Sequence, residues 1–138
     1  YEVDDTSTIL MKFKNGAQGV VDNFFNIPDQ AAKNMLEIYG TKGAVITHNT
    51  IGQDSAGKMW LYFESGDKEY SSQQARTQDA YQEIFLEPKS MYAQEFDAFS
   101  DWNQTGKKPI ISYEAGVRNF KIIEAAYQSS KERKAIVI

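Results

Sequence analysis

The dipeptide Asn15-Gly16 stands between two stretches of strand-like sequence, and it restricts the first 26 residues more than any other feature of the chain. Ahead of it, residues 6 to 14 alternate, with Ile9, Met11 and Phe13 on one face and Thr8, Leu10, Lys12 and Lys14 on the other. Asn-Gly tolerates positive φ at both central positions of a type I′ turn, so a tight hairpin is expected to fold residues 17 to 26 back antiparallel to the first strand. A third strand is expected over 34 to 40, then a turn at Gly40-Thr41-Lys42-Gly43. A fourth follows over Ala44 to Asn49 and a fifth over Lys58 to Phe63.

Leu10, Val21, Phe25, Trp60 and Tyr62 cannot all share the face that holds Ile9, Met11 and Phe13 unless registers shift, so each face of the sheet needs cover. The second half of the chain supplies one cover, because it turns helical. Ser90 is placed to cap a helix with Tyr92, Phe96, Phe99 and Trp102 at helical spacing, ended by Gly106 and Pro109. Ser112 is placed to cap a second. There Glu114 lies in the first turn, Val117, Phe120, Ile123 and Tyr127 form the apolar stripe, and Lys131, Arg133 and Lys134 complement the C-terminal dipole. Residues 135 to 138 are expected as a last short strand. The order of elements predicts an α+β domain: a mainly antiparallel, open-faced sheet with its helices on one face and the other face left to a partner.

At 138 residues, with 41% hydrophobic and 25% charged side chains, the chain is expected to fold as a single unit with its own core. The absence of cysteine rules out a disulfide scaffold, a thiolate zinc site and a cysteine nucleophile, and leans the compartment towards cytoplasm. A net charge of −4 without a basic stripe disfavours nucleic acid and anionic membrane as partners. No run approaches 18 consecutive apolar residues. The start has no initiator Met and opens into strand-like sequence, as expected of a piece of a longer chain.

The recognisable devices for dinucleotides, triphosphates, catalytic zinc and acyl transfer are missing. A dinucleotide needs a glycine-rich turn running into a helix N-terminus, whereas Gly40 to Gly43 joins two strands, so no cofactor-binding residue is assigned. His48, the single histidine, reads as a surface or sheet residue, since no carboxylate partner is identifiable. Asp97 and Asp101 share a helix face while Glu95 points elsewhere, the pattern of a solvated surface rather than a metal site. Asp4 and Asp5 read as edge solubilisers. The stretch from Glu64 to Glu83 is long, polar and weakly periodic, as expected of a functional or disordered loop. Within or beside it, Arg76 offers a guanidinium fork, and Tyr81 and Phe85 offer surfaces suited to a sugar face.

A wider pattern runs through these residues. Asp4-Asp5, then Lys12-Phe13-Lys14-Asn15-Gly16-Ala17, then Leu36-Glu37-Ile38-Tyr39-Gly40-Thr41-Lys42-Gly43-Ala44 resemble the sheet of the glucose-fructose oxidoreductase, inositol dehydrogenase and MocA family. Tyr92, Glu95, Phe96 and Phe99 resemble its Tyr-x-x-Glu-x-x-x-Phe helix. Gly106 to Pro109 and Ser112 to Gly116 resemble its next linker, and Ile122 to Ser130 its closing helix. The resemblance implies the C-terminal domain of a two-domain oxidoreductase that uses NAD or NADP on a sugar or polyol hydroxyl. In such a protein an N-terminal Rossmann domain supplies the glycine fingerprint and the catalytic Lys and His, none of which is found here. Glu87-Pro88-Lys89 holds the letters of the catalytic motif in another order and place, so Lys89 receives no role. The resemblance further implies a homo-oligomer through the sheet, in agreement with the apolar face read above, from which Leu10, Phe25, Trp60 and Tyr62 are the interface candidates. It makes Tyr81, Phe85 and Tyr92 candidates for substrate contact, beside Arg76, which is a candidate from its guanidinium alone. An NAD-using glycosidase of the same fold, or a non-catalytic oligomerisation or ligand-binding module, are the alternatives.

Overall fold

The computed structural model describes residues 2–64 and 81–138; Arg76 lies outside them. Among the described residues, six strands and two long helices follow in order: β1 (Thr6–Lys12), β2 (Gln18–Phe24), β3 (Met35–Gly40), β4 (Gly43–His48), β5 (Lys58–Phe63), β6 (Gln82–Ile84), α1 (Met91–Thr105) and α2 (Tyr113–Glu132). A single 3-10 turn at Asp29–Ala31 precedes β3. The class is α+β, as expected, but the described strands form two antiparallel sheets rather than one: β1 with β2, and β3-β4-β5-β6. Two compact units result. One holds residues 1–31 and 98–138, the other residues 32–97.

In the first unit the hairpin forms where Asn15-Gly16 predicts it, with a different turn. Gly16 N–H donates to the Phe13 carbonyl at 2.9 Å and Phe13 N–H donates to that of Ala17 at 2.9 Å, which encloses three residues, Lys14, Asn15 and Gly16. Gly16 alone takes positive φ, at 90°, and Asn15 Oδ1 accepts from Ala17 N–H at 3.1 Å. A type I turn closed by a left-handed glycine asks positive φ of glycine only. The extra turn residue moves the register by one and turns β2 over. Ile9 is therefore opposite Val21, and Leu10 opposite Val20. Phe25 N–H continues the ladder to the Asp5 carbonyl at 2.7 Å, which puts Phe25 on the Ile9 side. Leu10 and Phe25, grouped as interface candidates, thus lie on opposite faces of the hairpin.

α1 begins where Ser90 predicts: its hydroxyl accepts from Ala93 N–H at 3.3 Å and its carbonyl from Gln94 N–H at 3.1 Å. The helix ends as Gly106 N–H donates to the Trp102 carbonyl at 2.8 Å. Ser112 stands at the N-cap of α2 but makes no cap bond to the backbone; its hydroxyl donates to Glu114 Oε2 at 2.6 Å. Glu114 also pairs with Lys108. At the other end Arg133 adopts a left-handed conformation, φ 54° and ψ 39°, and Ser129 Oγ donates to the Lys134 carbonyl at 2.7 Å. Residues 135 to 138 form no strand, since that end closes on its own helix and pairs with no neighbouring ladder. The Asp4 carboxylate lies close enough to the Tyr127 hydroxyl to raise the phenol pKa above its usual value, so Asp4 faces α2 rather than serving only as an edge charge.

In the second unit, glycine closes the β3–β4 turn for a steric reason: a Cβ on Gly43 would run into the Tyr62 carbonyl oxygen of the neighbouring strand. Register sorts the four-stranded sheet into two unlike faces. One carries Leu36, Ile38, Val45, Thr47, Met59, Leu61, Phe63, Gln82 and Ile84; the other carries Met35, Glu37, Tyr39, Ala44, Ile46, His48, Lys58, Trp60, Tyr62 and Glu83. The first is mainly aliphatic, the second richer in aromatic and polar side chains. Thr47 is the one buried residue among those described, at 2% exposure; its hydroxyl donates to the Leu36 carbonyl at 3.3 Å and accepts from Thr50 Oγ1 at 2.6 Å. At the margins the aliphatic face stays open, with Phe63 at 71% exposure. No apolar side chain among those described is fully buried.

Candidate functional site

The aromatic face holds the candidate site. Tyr39 of β3 and Tyr62 of β5 are both registered opposite Ala44 of β4, so two large rings flank one methyl group. The strands that carry them are about 10 Å apart, twice the strand spacing. The result is a concavity of about 340 Å³ lined by Tyr39, Thr41, Ala44, Tyr62, Glu64 and Tyr81, with Gly40 and Gly43 completing its rim. Residue alternation places each tyrosine next to a carboxylate on its own strand. The Tyr39 hydroxyl donates to Glu37 Oε2 at 3.1 Å, and the Tyr62 hydroxyl donates to Glu64 Oε2. In both cases the hydrogen bond to the carboxylate leads the causes that raise the phenol pKa above 10, with desolvation and Coulombic repulsion adding to it. Both groups therefore remain protonated phenols at neutral pH. Tyr81 closes one side, its ring 5.8 Å from that of Tyr62 and tilted by 42°.

Of the sequence candidates, Tyr62 and Tyr81 are brought together here, although the first was assigned to an interface and the second to substrate. Trp60 shares their face, its ring edge-on to His48 at 5.2 Å. Phe85 follows β6 at 85% exposure and Tyr92 lies in α1; neither lines the concavity. Tyr39, Thr41, Ala44 and Glu64 were not singled out. The Tyr-x-Glu and Glu-x-Tyr spacings were visible, but only strand register shows that they flank a common alanine.

A second concavity of about 290 Å³ lies between the 49–57 loop and the segment leading into α1. Lys89 N–H ties these together by donating to the Ser55 carbonyl at 2.8 Å, while its ammonium pairs with Glu87 at 3.4 Å. Lys89 is thus exposed and structural in its contacts. Among the described residues no three metal-ligating side chains come together, and no helix is long and apolar enough to cross a membrane.

Comparison with known proteins accounts for this architecture. Residues 1–138 match the C-terminal alpha/beta domain of the oxidoreductase family named for glucose-fructose oxidoreductase, inositol dehydrogenase and MocA, and the chain belongs to that family. A myo-inositol 2-dehydrogenase of Thermotoga maritima is 26% identical to it over 141 residues, covering 96% of this chain and 36% of that protein. The chain therefore spans little more than a third of the length of that curated relative. No solved structure matches it.

Proposed function

We propose that this chain is the C-terminal domain of a two-domain oxidoreductase that moves a hydride between NAD or NADP and a sugar or polyol hydroxyl. The observation that supports this most directly is the family match across the whole of residues 1–138, together with the similarity to an inositol dehydrogenase. In this reading the nicotinamide nucleotide is held by a preceding Rossmann domain. Gly40 to Gly43 forms a β-hairpin turn, which presents no helix N-terminus to a pyrophosphate.

The domain's own contribution is to the substrate side and to subunit contact. Tyr81, Phe85 and Tyr92 are the substrate-side candidates, and the face bearing Trp60 is the subunit-contact candidate. Leu10 and Phe25 lie on opposite faces of the β1–β2 hairpin, so a single flat interface on that hairpin uses one of them. The protein acts in the cytoplasm.

The direct test is to incubate the intact protein with a panel of polyols and sugars in the presence of NAD or NADP, following nicotinamide reduction and identifying the product. Oxidation of one of them to the keto compound is expected. With glycosides included in the panel, their hydrolysis without net nicotinamide reduction would point to a glycosidase of the same fold, and no turnover with any compound would remove the proposal.

A further inference from the structure

We propose that Asn15 is a site of covalent self-modification: its side-chain amide is lost through attack by the backbone nitrogen of Gly16, and the isoaspartate that results opens the β1–β2 turn. Three observations lead to Asn15 rather than to another asparagine. It is the only asparagine followed by glycine; each of the others precedes a residue whose side chain obstructs the approach of the next backbone nitrogen to Cγ. It is exposed, in a loop that encloses three residues between Phe13 and Ala17. Nothing packs on that loop beside it, since a Cβ placed on Gly16 would meet no atom within 4 Å.

The reaction needs only water and solvent base. Gly16 N gives up its proton and bonds to Asn15 Cγ, the Cγ–Nδ2 bond breaks, and the nitrogen takes up a proton and leaves as ammonia. A five-membered succinimide remains, and water opens it at one of its two carbonyl carbons. Opening at Cγ gives aspartate in the normal chain. Opening at the main-chain carbon gives isoaspartate, in which the chain runs through Cγ. Nothing is oxidised or reduced, and either product adds one negative charge, which takes the net charge from −4 to −5.

The hydrogen bonds of the turn set both the rate and the consequence. Asn15 Oδ1 accepts from Ala17 N–H at 3.1 Å, which draws electron density away from Cγ and favours attack there. Gly16 N–H donates to the Phe13 carbonyl at 2.9 Å, so that bond opens before the nitrogen reacts. Because the loop is unpacked at Gly16, opening costs the turn its own bonds and leaves the Thr6–Lys12 ladder in place. In the aspartate product a carboxylate replaces the amide oxygen that accepts from Ala17, a stronger acceptor in the same position. Isoaspartate instead adds one main-chain atom inside a loop closed at Phe13 and Ala17, and it draws Cγ and Oδ1 into the main chain. The loop that sets the register of β2 then no longer closes as it does now.

The test incubates the intact protein at mildly acidic and at mildly alkaline pH in water enriched in heavy oxygen. Peptic digestion at low pH, where the reaction does not advance, and mass spectrometry then map the products. Aspartyl and isoaspartyl forms of the peptide that holds Asn15 are expected to accumulate, faster at the alkaline pH, each carrying one heavy oxygen. An isoaspartyl methyltransferase should label the second form alone. The rate at Asn15 should exceed that at any other asparagine by at least about tenfold. Asn15→Gln, whose longer side chain has to close a six-membered ring, should remove the product. Hydrogen exchange on the same samples reads the consequence: the amides of Phe13, Gly16 and Ala17 should exchange at the unmodified rate in the aspartyl form and in fresh Asn15→Asp, and faster in the isoaspartyl form. No product at Asn15, or product no faster than at the other asparagines, would overturn the assignment of the site. An isoaspartyl form with unchanged exchange at those amides would overturn the opening of the turn.

Discussion

The rings of Tyr62 and Tyr81 meet at 5.8 Å while the Tyr62 hydroxyl donates to Glu64, so one side chain is fixed at both its ring and its tip. The carboxylate holds the phenol proton, and ionisation of Tyr62 would set two negative groups side by side. In an alkaline titration followed by ring resonances, Tyr62 is expected to ionise above 10, and Glu64→Gln should bring it back down towards that value. A Tyr62 titration unchanged by Glu64→Gln would show that the hydrogen bond does not persist in solution.

Register in the β1–β2 hairpin depends on one glycine. With Gly16 at φ 90°, Gly16→Ala is expected to cost about 1–2 kcal/mol in denaturant unfolding. Cross-strand pairing is tested separately with cysteine pairs. Leu10→Cys with Val20→Cys should crosslink in preference to Leu10→Cys with Val21→Cys, because Leu10 and Val20 are directly opposed. The reverse preference would restore the two-residue turn.

At the end of α2, Arg133 takes a left-handed conformation that glycine adopts without steric cost. Arg133→Gly removes a penalty of about 1–2 kcal/mol but gives up a cation at the negative end of the helix dipole, worth about 0.3–1 kcal/mol. A net gain of roughly 0.5–1 kcal/mol is expected in the unfolding free energy. Loss of stability would mean that the arginine makes a compensating contact.

The other end of α2 predicts a pH dependence. Lys108, first, and the Ser112 hydroxyl hold the Glu114 carboxyl down from 4.5 to about 2. A carboxylate whose pKa is depressed by folding stabilises the protein above its unfolded pKa, and that contribution fades as pH falls. The stability difference between the wild type and Glu114→Gln should therefore be full above pH 4.5 and vanish towards pH 2. Because the pair is solvent-exposed, added salt should shrink the difference at neutral pH. A difference insensitive to both would assign the effect to something other than charge.

Local signals in the sequence translated well where one residue type decides the geometry. Ser90 starts α1, Gly106 follows its last turn, and β5 spans Lys58–Phe63 as its alternation indicates. Pairing was harder to read. Both Asn15 and Gly16 suit a type I′ turn, and only the hydrogen bonds from Gly16 and Phe13 show that Lys14 joins the loop; that single residue decides the face of every side chain in β2. The three-residue β6 lies at the end of a polar stretch and owes its existence to β5, a partner that periodicity does not reveal. The same limit hid the concavity on the aromatic face. Glu37, Tyr39, Tyr62 and Glu64 carry no signal one by one, and come together because Tyr39 and Tyr62 are both registered opposite Ala44 of β4. Asp4 was read from its charge alone, and its proximity to Tyr127, well over 100 positions away in sequence, carries no local signature.

The proposed division of labour, with the nicotinamide nucleotide held outside these residues, is tested most directly by titrating NADH and NADPH into the intact protein and into the isolated 138-residue chain, followed by fluorescence. The intact protein should bind one of them with a Kd on the order of micromolar, and the isolated chain should bind neither. Saturable micromolar binding by the isolated chain would contradict it.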